Sequence, residues 1–215
     1  MIQVQHKHFA TEGVEFKLPS QLRLLAPQLV NYDCELDTIV RCLETDNTLS
    51  KGIIKYANRR QLEPDIEIET VNHAVVFLGS IEAKHFLLNQ LLLDPASGDQ
   101  TQQIQVLIRA KLVTKLFQTT GPLNKDLAFV GAYLTHKKLL KQHSPEQAIE
   151  LFRLSEKRKA ALMNLDFGLR QTIEHAICIE KKCSPGSIHR RQVPQEYKQM
   201  FHEALYWANC IIMSR

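Results

Sequence analysis

The chain has 215 residues and a mass of 24.7 kDa, with 44% hydrophobic and 23% charged side chains, which excludes wholesale disorder, a fibrous repeat and a fold dependent on staples. A net charge of +4 is too slight to imply a nucleic-acid or membrane partner through field strength. Only 8 glycines, against an abundance of Leu, Ala, Gln, Lys and Glu, tilt the composition towards helix.

Residues 1–15 form a polar segment carrying His6 and His8, too few ligands for a metal, and are expected to fray. No apolar run follows a basic start there, so no cleavable leader is expected and the cytoplasm is the default compartment. From Leu18 the spacing of Leu22, Leu25 and Leu29 predicts a first helix. A second carries Leu36, Ile39, Val40 and Leu43, capped by Asp33 or Asp37. Asp46 caps a third, with Leu49, Ile53, Ile54 and Ala57 as its buried stripe and its end near Asn58.

Arg59 to Glu69, with Pro64 and alternating charge, reads as a surface loop without core residues. Thr70 caps the next helix, with Val71, Ala74, Val75 and Leu78 on one face, and Gly79 stops it in a left-handed turn. Ile81 to Leu93 is leucine-rich on several faces, which predicts burial on more than one side. Its apolar run, Phe86 to Leu93, is interrupted by Asn89 and Gln90 and falls far short of the ~20 residues that span a bilayer. The segment DPASGDQ after it is the expected hinge.

Ile104, Leu107, Ile108, Leu112 and Leu116 form a long stripe closed by Thr120, Gly121 and Pro122. Asn124 or Asp126 caps a helix with Leu127, Val130 and Leu134. Ser144, Pro145 and Gln147 supply a capping hydroxyl, a proline at the first helical position and an amide three residues after the cap. One helix is expected from Leu162 to Ile179, a break at Cys183 to Gly186, and a last helix opened by Pro194 and carrying Tyr197, Phe201, Leu205 and Trp207. No strand is expected.

Five cysteines, Cys34, Cys42, Cys178, Cys183 and Cys210, contain no Cys-x-x-Cys pair and read as reduced, packing thiols. Nine histidines in a helical chain raise the possibility of a metal-dependent phosphohydrolase of the HD type. None of them, however, precedes an aspartate. His136 and His143 are flanked by Lys137, Lys138 and Lys141, whose charge repels a metal, so a solvated basic face is expected there. Glu174 with His175, and His202 with Glu203, are sequence neighbours that point about 100° apart on a helix. His73 and His85, on successive helices, are the one pair open to ligation. No Gly-x-Gly-x-x-Gly, Gly-Lys-Ser/Thr or Gly-x-Ser-x-Gly occurs, and Ser20, Ser144, Ser155 and Ser184 read as helix caps. Basic clusters stand at Lys157, Arg158 and Lys159, and around a proline-glycine turn at Lys181, Lys182, His189, Arg190 and Arg191. Without interleaved aromatics to stack on bases, the candidate interaction residues Lys181, Lys182, Arg190 and Arg191 read first as helix-end charges.

Two segments carry a family resemblance: DNTLSKGIIKYAN from Asp46 and IETVNHAVVFLG from Ile68. Together they resemble the HDOD domain, the HD-related output domain of bacterial signalling proteins. The match extends through IRAKLVTKLF, AFVGAYLTHKKLL and ALYWA, and covers nearly all of the chain from Phe16. Asn47 replaces a usual proline, Arg59 a usual serine, and Thr70 a serine cap. The downstream half looks most like the version C-terminal to EAL domains (EAL-HDOD, modified HD-GYP), with Leu134 and Thr135 where an active relative carries His-Asp after a glycine like Gly131. No Glu-Ala-Leu cluster is present, so cyclic-di-GMP hydrolysis is not implied.

The resemblance implies an all-α, two-lobed, HD-like helical bundle with a degenerate catalytic site. Its N-terminal lobe would span 16–93 and its C-terminal lobe 99–213. It further implies a non-enzymatic regulatory domain that acts through contacts with a protein partner, with no cofactor, metal or catalytic residue. The signature residues Asp46, Asn58, Thr70 and Gly79 are expected to be structural. Two alternatives stay open: a residual metal-dependent phosphohydrolase or nucleotide binder using His73 and His85, and a nucleic-acid-associated regulator using the Lys181 to Arg191 turn. The partner, the signal and the oligomeric state lie beyond the sequence.

Overall fold

The computed structural model describes residues 19–31, 34–61, 67–119, 121–142 and 144–215. Among these, ten α-helices and two short 3-10 turns account for the regular structure, and the nearest approach to a strand is one antiparallel bridge between Leu93 and Leu140. The helices are α1 Ser20–Leu29, α2 Leu36–Glu44, α3 Asn47–Arg60, α4 Val71–Leu92, α5 Gln100–Leu116, α6 Lys125–Leu134, α7 Pro145–Glu150, α8 Glu156–Met163, α9 Phe167–Cys183 and α10 Gln195–Met213. The expectation of an all-α fold holds. None of these helices is long and apolar enough to cross a membrane. The expectations concerning His6, His8, Asp33, Pro64, Thr120 and His143 lie outside the described residues.

Local chemistry starts the helices where the sequence places their caps. Asp46 Oδ1 accepts from the amides of Thr48 and Leu49 at 2.8 and 2.9 Å, and Thr70 Oγ1 accepts from His73 N. Of the two candidates before α6, Asn124 is the cap, accepting from Leu127 N at 2.8 Å. Ser144 accepts from Gln147 N, with Pro145 opening α7. Such bonds satisfy amides that the first helical turn leaves without carbonyl partners.

Several expectations need correction. Asp37 does not cap α2: Glu35 holds that position without a side-chain bond, and Asp37 lies in the first turn. Ser184 ends α9, with its hydroxyl donating back to Glu180 O, and does not start a helix. The single helix expected from Leu162 to Ile179 breaks at Asn164–Asp166, where Leu165 has φ 46° and Asp166 caps α9 through Gly168 N. The stretch after α3 does carry core: Ile68 is buried. Gly79 has φ 76° and ψ 166°, outside the helical region, but the chain resumes as helix at once, so it kinks α4 instead of ending it.

One hydrophobic cluster runs from Leu22 on α1 to Ile211 on α10. At its centre α5 packs against α6, α9 and α10, while α4 lies against α1, α2, α3 and α6. The leucine-rich part of α4 is buried on several faces, as its composition requires. Gly131 permits the close approach of α6 to the α8–α9 corner, since a Cβ there would sit 2.8 Å from Leu169 Cδ2. The expected hinge is fastened. Leu92 O accepts from Lys141 N, Asp94 N donates to Leu139 O, and Gln103 Nε2 donates to Pro95 O and Ser97 O.

Candidate functional site

Charged residues sit in helices whose neighbours are leucine, and a buried charge needs a partner. On α4, Glu82, Lys84 and His85 occupy the segment between the kink and the leucine run. On α5, Lys111 follows Ala110. On α6, Asp126 lies in the first turn. Helix packing brings these three sets together.

Lys84 Nζ reaches Asp126 Oδ2 at 2.6 Å, with both side chains about nine-tenths buried. Lys111 is paired with Glu82, whose other oxygen accepts from the Tyr56 hydroxyl at 3.0 Å. His85, fully buried, stacks on Phe129 with ring centroids 4.4 Å apart and meets Trp207 edge-on. Lys111 Nζ also lies 5.1 Å over the Trp207 ring. Burial pushes the His85 imidazole down, despite Asp126 nearby. Burial also lowers Lys111, against the pull of Glu82. Burial alone would raise the Glu82 carboxyl, but Lys111, His85 and the Tyr56 hydroxyl outweigh it and hold it below its ordinary range. Asp126 is likewise held low, by His85 and Lys84 against burial.

Glu82, Lys84, His85, Lys111 and Asp126 form one wall of a cavity of about 610 Å³. Arg60 at the end of α3, Ile81, Thr114, Lys115, Thr119, Lys125, and Glu203 and Tyr206 on α10 complete it. Its size is that of a small-molecule site.

A second polar group lies beside Leu134 and Thr135. The Arg109 guanidinium on α5 donates to Glu180 on α9 at 2.9 and 3.2 Å, and its Nη1 stands 2.8 Å from His136 Nε2. A guanidinium only donates, so Nε2 accepts and the imidazole proton sits on Nδ1. That nitrogen lies 2.9 Å from Thr135 Oγ1, whose own hydrogen goes to Ala132 O. The network assigns a neutral His136. Burial, and then the adjacent Arg109, lower its pKa to about 4. The expected solvated basic face is therefore wrong for this residue: His136 is half-buried and bonded, although Lys137 and Lys138 beside it are exposed.

This neighbourhood does not fit a catalytic cation. Leu134 is an aliphatic side chain in the core, and Arg109 already supplies a positive charge that cannot be discharged. Among the described residues no group of three or more His, Cys, Asp or Glu side chains could hold a metal ion.

The other residues singled out in the sequence are placed as follows. His73 is exposed before the kink of α4, whereas His85 is buried after it, so a cluster shared by the two is not formed. Asn58 does more than end a helix: its amide clamps the backbone of Ile68, donating to Ile68 O at 2.7 Å and accepting from Ile68 N at 2.9 Å. That bond pair ties α3 to the strand of chain leading into Thr70. Lys181 and Lys182 are exposed in the last turn of α9, where positive charge complements the helix dipole. Arg190 and Arg191 both lie in the short 3-10 turn Arg190–Gln192, where Arg191 is exposed. Lys159 pairs with Glu150, and Arg158 donates to Asn31. Glu82, Lys84, Lys111 and Asp126 were missed as a site. For Glu82 and Lys84 the signal is charge inside the stretch Ile81 to Leu93 expected to be buried on several faces; for Lys111 and Asp126, on other helices, nothing local shows that they would meet it.

The HDOD domain family model matches residues 17–166. No curated protein matches the chain. Among solved structures it is similar to an HDOD domain protein with unknown function from Geobacter sulfurreducens, at 18% identity and a TM-score of 0.40, covering 90% of this chain and 71% of that one. It is also similar to a protein from Shewanella amazonensis SB2B named "Putative metal-dependent phosphohydrolase", at 16% identity and a TM-score of 0.38, covering 92% of this chain and 91% of that one.

Proposed function

We propose, from the premise that this chain belongs to the HDOD family, that it is a non-enzymatic regulatory domain of a bacterial signalling system, cytoplasmic and acting by contact with a protein partner. One observation carries the reading. Where the resemblance puts His-Asp in an active relative, this chain has Leu134 and Thr135, and the Arg109 guanidinium holds the neighbouring acid and imidazole, Glu180 and His136. A metal-activated water needs lone-pair donors around an open coordination position. Here the donors face a fixed cation instead. The same substitution supports the finer reading that the chain is the version found C-terminal to EAL domains, which the reading frame preceding it tests directly.

The experiment pairs metal analysis with turnover. Protein purified after growth with iron, manganese and zinc is expected to carry far less than one metal per chain and to leave a bis(p-nitrophenyl) phosphate substrate intact. Stoichiometric metal together with hydrolysis would overturn the proposal. On the positive side, cross-linking in the native host is expected to join the domain to a defined protein, with the contact mapped to this chain's surface.

A further inference from the structure

The cavity between α3, α4, α5, α6 and α10 has a charge imbalance built into it. Five cations face it, Arg60, Lys84, Lys111, Lys115 and Lys125, against three carboxylates. The carboxylates are all taken: Asp126 by Lys84, Glu82 by Lys111 and Glu203 by Lys115. Arg60 and Lys125 are left without a carboxylate within ion-pair distance among the described residues. Arg60 is instead poised 5.6 Å over the exposed ring of Tyr206.

A buried donor points the same way. His85 lies 3.5 Å from Lys111 Nζ through Nδ1. An ammonium only donates, so the imidazole hydrogen sits on Nε2. Nε2 is fully buried and faces Asp126 Oδ1 at 3.6 Å, too long for a full hydrogen bond, and it has no other hydrogen-bond partner among the described residues. A buried donor left with only a long contact to its acceptor is rare enough in folded proteins to need a reason. Two cations with no carboxylate partner among the described residues, a weakly answered N–H in the same wall, and the apolar surfaces of Ile81 and Tyr206 are the parts of a ligand site.

We propose that this cavity binds a small organic dianion, a phosphomonoester or a dicarboxylate on a compact body, with Arg60 and Lys125 neutralising its two charges. Arg60 presents a planar fork matched to carboxylate or phosphate oxygens, and its neighbour Tyr206 offers a face for the body of the ligand. Lys125 supplies a point charge at the start of α6. The proposal concerns this cavity only; it fails or stands independently of the reading of the Leu134–Thr135 neighbourhood.

Isothermal titration of the full chain at low salt tests it with three probes: adenosine 5′-monophosphate, succinate, and adenosine as the uncharged control. The expected result is one-to-one binding of at least one dianion, with Kd below about 1 mM, weakening as salt is added, and no binding of adenosine. Binding of the monophosphate alone assigns a phosphomonoester, and binding of succinate alone a dicarboxylate. Arg60→Gln and Lys125→Gln are each expected to weaken the binding by about tenfold or more. Neither residue belongs to the buried pairs, and urea unfolding followed by Trp207 fluorescence verifies that each variant is folded. No binding of either dianion, equal binding of adenosine, or affinity retained in either folded variant overturns the proposal.

Discussion

The buried pair Lys84–Asp126 makes a sharp test of how the centre of the molecule is held together. Both side chains are about nine-tenths out of water and only 2.6 Å apart, so each has given up hydration that the other must offset. Asp126→Leu leaves the Lys84 ammonium in the wall of the core without a partner, and Lys84→Met does the same to the carboxylate. Breaking a buried pair from one side costs about 3–5 kcal/mol. In a chain of this size that corresponds to a fall in Tm of roughly 6–20 °C. The double variant Lys84→Met/Asp126→Leu removes both charges and fills the space with apolar groups. It is expected to return to within about 1 kcal/mol of the parent, because desolvation and attraction nearly cancel in such a pair. The four proteins form a double-mutant cycle whose coupling energy should be several kcal/mol in favour of the pair. Urea unfolding reads it directly: Trp207, the sole tryptophan, is fully buried against His85 and Phe129 beside the cluster. If the double variant loses the sum of the two single losses, the charges are not partners and the account of the cluster is wrong.

Asn58→Ala should destabilise by about 2 kcal/mol, through the two backbone groups of Ile68 that lose their partners; in urea titration Asn58→Asp should also be weaker than the parent, because it keeps an acceptor for Ile68 N but sets an oxygen against Ile68 O. Acid should destabilise the protein from about pH 6.5 down to about 4, since neutral His136 in the fold takes up a proton only near 4 whereas the unfolded chain binds it near 6.5. Unfolding free energies across that range check this, and His136→Asn should flatten the slope in part, with buried His85 contributing the rest in the same direction. A thiol reagent should modify Cys178 rapidly in the folded protein and the other four cysteines only after unfolding. Cys178 alone is exposed, and burial pushes the Cys42 thiol up to about 11; fast reaction of a second thiol would contradict the packing described.

The sequence by itself determined what is local. Asp46, Thr70, Asn124 and Ser144 cap helices because their side chains reach amides two or three residues away, whatever the rest of the chain does. The helical periods, the burial of the leucine-rich half of α4 and the missing His-Asp pair were legible for the same reason. Leu165 escaped, because a non-glycine residue at positive φ carries no signal of its own, although Asn164 and Asp166 on either side were available as end and start markers. What only the tertiary structure decided is where charge meets charge. Lys84 and Asp126 are 42 residues apart, Arg109 and Glu180 are 71 apart, and each pair exists only because two helices bury their apolar faces together and leave the charges no water to turn to. Hydrophobic periodicity fixes which face of a helix is hidden, but which neighbour it is hidden against is a property of the packed whole.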